Sequence, residues 1–259
     1  MRKLILLLVI LAAGVALRWP ASAFVASWAH DGTGCSAGVT GTAATGTCNL
    51  TVGHVGNLLV AGCDAASLSN TCTIKDSANT GSTPWTLIAN CSMGRAIAEI
   101  YSTVSVASGA TTVTATWSAG STGSLFADSY QWNLGSPAIP APTNANSGTP
   151  FCSATATSGN ITGAQVNALP WGYGDVSTTL SAGSGYTQAA TQVTNGVTRT
   201  LAEYNAATNA GGTIAISFTA GGTAHGMMGV AFSPTSGVTS RVPRRVIALD
   251  RPMSWRLSE

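Results

Sequence analysis

The chain has 259 residues, 45% hydrophobic and only 8% charged, with a formal net charge of +2. The positive charge sits at the ends: between Phe24 and Ser240, Lys75, Arg95 and Arg199 face Asp31, Asp64, Asp76, Glu99, Asp128, Asp175 and Glu203, a body charge of −4. A body this poor in cations excludes nucleic-acid binding, which needs a basic surface. Alternating apolar runs without high net charge exclude disorder and indicate a folded β-protein whose polar face uses Ser and Thr hydroxyls instead of ions.

Residues 1–23 join a positive start (Arg2, Lys3), an apolar run from Leu4 to Leu17 and an Ala21-Ser22-Ala23 site. That order predicts a secretory signal peptide cut after Ala23. The run is shorter than the roughly 20 residues that span a bilayer, so no membrane span is expected after cleavage. Six cysteines follow, at 35, 48, 63, 72, 91 and 152. An even count in a secreted chain reads as disulfides, and nearest-neighbour pairing is preferred: Cys35–Cys48, Cys63–Cys72 and Cys91–Cys152. There is no C-x-x-C and no histidine nearby, so zinc is not expected there.

The body, residues 24–236, reads as a single antiparallel two-sheet sandwich. Phe24–Ala29 is a short strand and Asp31–Gly46 a Gly- and Thr-rich loop. Gly56–Gly62 (GNLLVAG) is a continuous apolar run, the pattern of a strand buried on both faces. Cys72–Ser77 and Pro84–Cys91 are further strands. In Arg95–Gly120, Val113, Ala115 and Trp117 share one face and Thr112, Thr114 and Thr116 the other, the period of a one-sided antiparallel strand. Ser124–Asn133 is the next strand. Pro137, Pro140, Pro142 and Pro150 mark residues 136–150 as a crossover.

A second cycle follows. Arg199–Gly221 repeats the order of Arg95–Gly120: Arg, an aliphatic, Glu, a Gly-centred turn and an alternating strand. Ala168–Tyr173 answers GNLLVAG, Gly185–Thr187 answers Pro84–Thr86, and Gly226–Phe232 answers the Ser124 strand. The chain is therefore read as two halves, about 24–135 and 151–236, sharing one interior. Two separate small sandwiches are the rival arrangement. Helix is not expected outside the leader. Residues 237–259 are a basic tail, read as an irregular end that contacts acidic polymers or a membrane surface, or as a strand donated to a neighbour's sheet edge.

The order GNLLVAG, TIKDS, PWTLI, AEIYSTVSVASGATTVTATWS, and later SGYT and GVAF resembles a set of secreted bacterial and phage-associated β-sandwich proteins of unassigned function. The resemblance spans roughly Leu50–Ser233 and implies a jelly-roll, lectin-like shape. It carries no catalytic residue.

Candidate chemistry is sparse. His30, His54 and His225 are isolated in sequence, without H-x-H or H-E-x-x-H spacing, and there is no G-x-S-x-G elbow and no P-loop. Neither metal nor other cofactor is expected. Arg95 and Glu99 share one strand face, as do Arg199 and Glu203, but at about 3.3 Å per residue each pair is about 13 Å apart. Across a pseudo-twofold, Arg95 would meet Glu203 and Arg199 would meet Glu99, as ion pairs that set register. The alternative makes Glu99 and Glu203 an acid and base for glycoside cleavage, against which the repeat argues, because an acid and a base need unlike environments. Alternation turns Trp85 and Trp117 inward, and flanking glycines mark Trp171 and Tyr173 as an exposed pair for glycan contact. The resulting expectation is a non-catalytic extracellular module that binds a glycan or cell-surface polymer or serves a structural role. The alternatives are a polysaccharide hydrolase or lyase, and a self-assembling fibre subunit.

Overall fold

The computed structural model describes residues 27–41, 44–79, 84–94, 96–133, 147–195 and 198–234. The leader, most of the proline segment and the basic tail lie outside them.

Ten strands precede the proline segment: β1 (Ser27–His30), β2 (Gly32–Thr33), β3 (Cys35–Val39), β4 (Thr45–Val52), β5 (Leu58–Ala65), β6 (Cys72–Asp76), β7 (Thr86–Met93), β8 (Ala96–Val104), β9 (Gly109–Trp117) and β10 (Gly123–Asn133). Nine follow it: β11 (Phe151–Ser153), β12 (Ser158–Ala164), β13 (Leu169–Val176), β14 (Leu180–Ala182), β15 (Thr187–Gln188), β16 (Val193–Asn195), β17 (Thr198–Tyr204), β18 (Gly212–Ala220) and β19 (Ala224–Phe232). The described residues contain no helix, and thus none long and apolar enough to cross a membrane.

The strands form four antiparallel sheets where two were expected. Their orders are β2-β4-β9-β6, then β1-β10-β5-β8-β7 with β3 also on β10, then β11-β19-β13-β17-β15 with β16 also on β17, and finally β12-β18-β14. Three apolar layers separate them in that order. The first holds Leu50, Leu59, Ala61, Val113, Trp117 and Leu125. The middle one holds Leu58, Val60, Ile100, Phe126 and Tyr130 from one sheet against Trp171, Tyr173, Met228, Val230 and Phe232 from the next. The third holds Ile161, Leu201, Ile216, Phe218 and Met227. Four sheets arise because β5 and β13 are buried along their whole length. A strand apolar on both faces needs a sheet on each side.

The middle layer is a seam between the parts of the chain before and after the proline segment. Gly62 makes it tight: a Cβ there would lie 2.7 Å from Tyr173 Cδ2 and 2.8 Å from Trp171 Cη2. Polar bonds cross it as well, from Trp28 Nε1 to the Asn167 carbonyl (2.9 Å) and between the Ser124 and Thr200 hydroxyls (2.7 Å).

Asp31–Gly46, read as loop, instead contains β2, β3 and the start of β4. β3 pairs with the first half of β10 and β4 with β9. Threonine favours a pleated surface, and these partners lie too far along the chain for local pattern to reveal them. The short strands β11, β12, β14 and β16 were not expected either.

The three disulfides are Cys35–Cys48, Cys63–Cys72 and Cys91–Cys152, as nearest-neighbour pairing predicts. Only Cys91–Cys152 joins the two middle sheets, and it closes 61 residues of chain against 13 and 9 for the others. Loop-closure entropy then ranks them. Replacing Cys91 and Cys152 together by Ser should lower unfolding free energy by about 4 kcal/mol, and the Cys63 and Cys72 pair by about 2.5 kcal/mol. Urea unfolding of the two double variants measures the order, and the reverse order contradicts the crosslink assignment.

Candidate functional site

Trp171 and Tyr173, predicted as an exposed glycan pair, are fully buried. Trp171 Nε1 donates to the Tyr130 hydroxyl (3.1 Å), and the Tyr173 ring meets Phe126 edge-on at 5.6 Å. The glycines beside them mark close approach of a neighbouring sheet rather than exposure. A Cβ on Gly172 would meet Ile216 at 2.5 Å, and one on Gly174 would meet Phe218 at 3.0 Å. Trp117 is buried as expected, and Trp85 is partly buried with its Nε1 donating to Asp76 (2.6 Å).

The repeated glutamates do not meet across the seam. On β8, Ala98 and Ile100 face the seam, so Glu99 points the other way, where it accepts the Cys72 N–H at 2.5 Å. On β17, Ala202 and Tyr204 face the seam, and Glu203 turns outward to accept the Gly183 N–H at 2.8 Å. The two carboxylates thus project in opposite directions, with both middle sheets between them. Facing sheets stack about 10 Å apart, so this places them beyond any shared acid–base geometry. Arg199 donates through Nε to the Thr178 carbonyl (3.1 Å) and does not pair with Glu99. Arg95 lies outside the described residues. In place of the predicted Arg199–Glu99 pair, both carboxylates bind strand-end N–H groups. Cys63, Cys72 and Glu99 do lie close together, but both sulfurs are in a disulfide and offer no thiolate.

Four further carboxylates are buried: Asp64, Asp76, Asp128 and Asp175. Asp64 on β5 accepts the Ser124 N–H at 2.5 Å, and burial pushes its carboxyl up to about 6. Asp128 on β10 accepts from Ser129 N and the Tyr130 hydroxyl, both at 2.8 Å. Its Oδ1 also lies 2.6 Å from His30 Nε2. Burial raises Asp128, with His30 opposing, while the bond to Asp128 holds His30 above its ordinary value. The His30 ring stacks on Tyr204 at 5.5 Å, so this cluster closes one end of the seam. Asp175 on β13 faces His225, with Oδ2 3.6 Å from Nδ1 and both residues buried. Burial pushes Glu203 up to about 8.

The Asp175–His225 pair adjoins a cavity of about 510 Å³ lined by Gly94, Ala154, Thr155, Ser177, Thr223, Ala224 and His225. These come from the turn after β7, the segment after β11, the end of β13 and the approach to β19, so both parts of the chain contribute. Three of the seven carry hydroxyls, and none is a lysine, arginine or carboxylate. Sequence reading missed the site because its residues are isolated singletons that only strand pairing assembles.

No family model, no curated protein and no solved structure matches this chain.

The buried acids dictate a pH response. Asp64 rises from 3.8 to about 6 and Glu203 from 4.5 to about 8, so the folded state keeps protons that the unfolded chain releases. Their stabilising contribution is complete below about pH 4 and is lost as pH rises through 6 and then 8; His30, also raised, adds a loss of the same sign. Melting temperature should therefore fall from pH 4.5 to 8. Glu203→Gln keeps an acceptor for Gly183 N and should flatten the fall above pH 6. Thermal melts across this range test it, and stability that climbs with pH contradicts it.

Proposed function

We propose that this chain is a secreted, non-catalytic β-protein that binds a neutral, hydroxyl-bearing polymer surface, such as a cell-surface glycan. The observation that carries the reading is the outward face of the β2-β4-β9-β6 sheet. Thr45, Thr116 and Thr73 are in register across β4, β9 and β6; Thr47, Thr114 and Lys75 form the next row, and Asn49 and Thr112 the third. The alternate positions are buried, so these side chains point outward. Rows lie about 4.8 Å apart between strands and about 6.7 Å apart along them. The Thr112 hydroxyl donates to Asn49 Oδ1 at 3.1 Å, which orders part of the array.

Lys75 is the single charge among these positions. Such a face offers many hydrogen bonds and little electrostatic attraction, which suits a neutral polyhydroxyl partner. Disulfides Cys35–Cys48 and Cys63–Cys72 lie in the apolar layer directly beneath it and support rigidity. The disulfides also fit an oxidising, extracellular setting, in keeping with the signal peptide read at residues 1–23. The glycosidase alternative loses its support with the separation of Glu99 and Glu203.

The reading includes a duplicated half-unit. Leu58–Ala65 and Leu169–Val176 occupy equivalent central places in the orders β10-β5-β8 and β19-β13-β17. Asp64 then corresponds to Asp175. The two copies face one another across the seam, each carrying its own outer sheet, a stacked form of the jelly-roll-like sandwich.

Co-sedimentation with insoluble polysaccharides tests the function. Retention should be the same at low and high salt, because few charges take part. Replacing Thr47 and Thr114 together by Glu should abolish it while leaving the circular dichroism spectrum unchanged. Absence of retention on every polymer, or retention that salt removes, overturns the reading.

A further inference from the structure

The two equivalent aspartates have unlike partners. Asp64 is opposite Ser124, whose N–H it accepts. Asp175 is opposite Gly226, but the next pair in the ladder is Val176 with Ala224. His225 is the extra residue between them, the inserted position of a β-bulge. Bulges bend a strand and re-aim a side chain, and they concentrate at edges and beside functional sites. Gly226 has φ +147°, a conformation that side-chain-bearing residues rarely adopt, and a Cβ there would lie 2.6 Å from Met93 Cβ. Glycine here both permits the bulge and lets the first half approach it.

The inserted histidine is also where the cavity lies. Its Nδ1 faces Asp175, so the opposite edge of the ring, with Nε2, is turned away from that carboxylate. The ring is thus fixed in place beside a buried carboxylate. Ser177 Oγ accepts the Thr223 N–H at 3.1 Å, which leaves its own proton to donate. The walls are fixed to one another. Gly94 follows Cys91 by three residues, Ala154 follows Cys152 by two, and these cysteines are bonded. A volume of about 510 Å³ falls within the range of small-molecule sites.

We propose that this cavity binds one neutral sugar residue or a polyol of similar size, with the Thr155, Ser177 and Thr223 hydroxyls as its polar contacts. An anion would find no lysine or arginine in the lining. A cation would find no carboxylate there either, because Asp175 is buried behind His225 and outside the lining. A neutral ligand with several hydroxyls matches hydroxyls that both donate and accept, and the small apolar surfaces of Ala154 and Ala224. The site is distinct from the threonine face and does not depend on its partner, so either can fail alone.

The test is titration of the full chain with glucose, galactose, N-acetylglucosamine and glycerol, with inorganic phosphate as the charged comparison. The readout is NMR of the His225 ring and of the Gly94, Thr155 and Thr223 amides. At least one neutral compound should give saturable shifts at these positions, with phosphate giving none. Ser177→Ala should weaken the response about tenfold, the loss of one buried hydrogen bond to ligand. Thr155 is exposed, so Thr155→Trp should plug the mouth and abolish the response in a folded protein even where Ser177→Ala harms folding. Saturation by phosphate alone, no saturable shift with any neutral compound, or full binding by Thr155→Trp overturns the proposal.

Discussion

The structure depends on the close contact of the two middle sheets, where Gly62 of β5 admits the Trp171 and Tyr173 rings of β13. Those rings with Phe126, Tyr130 and Phe232 form the apolar layer that both parts of the chain share. Burial of large apolar surface is the dominant favourable term in folding, and aromatic rings carry the most of it per residue. Each outer layer holds fewer aromatic rings and is backed by this one. The Cys91–Cys152 disulfide ties the same two sheets.

The seam is not wholly apolar, and its polar groups form ordered chains. Trp171 donates to Tyr130, Tyr130 to Asp128, and Asp128 meets His30 at the half-buried end. Elsewhere the buried acids take N–H groups from strand ends: Asp64 from Ser124, Glu99 from Cys72, Glu203 from Gly183. A chain with so few charges uses most of its carboxylates to satisfy its own backbone. That leaves hydroxyls to represent the protein to solvent, and it accounts for both candidate binding surfaces being neutral. An unpaired buried donor costs about 1–3 kcal/mol, so these acids hold their places for structural reasons.

Asp64 and Asp175 lie on the central strands β5 and β13 of the two middle sheets, yet a single added residue in β19 puts a histidine beside Asp175, while Asp64 pairs with Ser124. Both strands keep what packing demands, namely burial along their length and glycines of close approach. One extra residue in a ladder leaves the sheet intact and changes only where a side chain points.

The amino-acid order alone determined the all-β class and the strands β5, β6, β7, β8, β9, β10, β13, β17, β18 and β19, and nearest-neighbour order favoured the three cysteine pairs. The strands follow from alternation and turn residues, which are local, whereas Cys91–Cys152 spans 61 residues. The order also indicated the outward threonines of β9, since period two assigns a face without reference to any partner. Which faces meet was a tertiary decision. The alternation that put Glu99 on a face with Arg95, and Glu203 on a face with Arg199, did not say which sheet lay over them, and the glycines flanking Trp171 and Tyr173 sent that pair to the surface when a second sheet covers them. The His225 cavity was invisible for the same reason. Its residues come from four separate segments, and the bulge that aims the histidine exists only as a mismatch between β13 and β19, a property of two strands together that neither sequence contains.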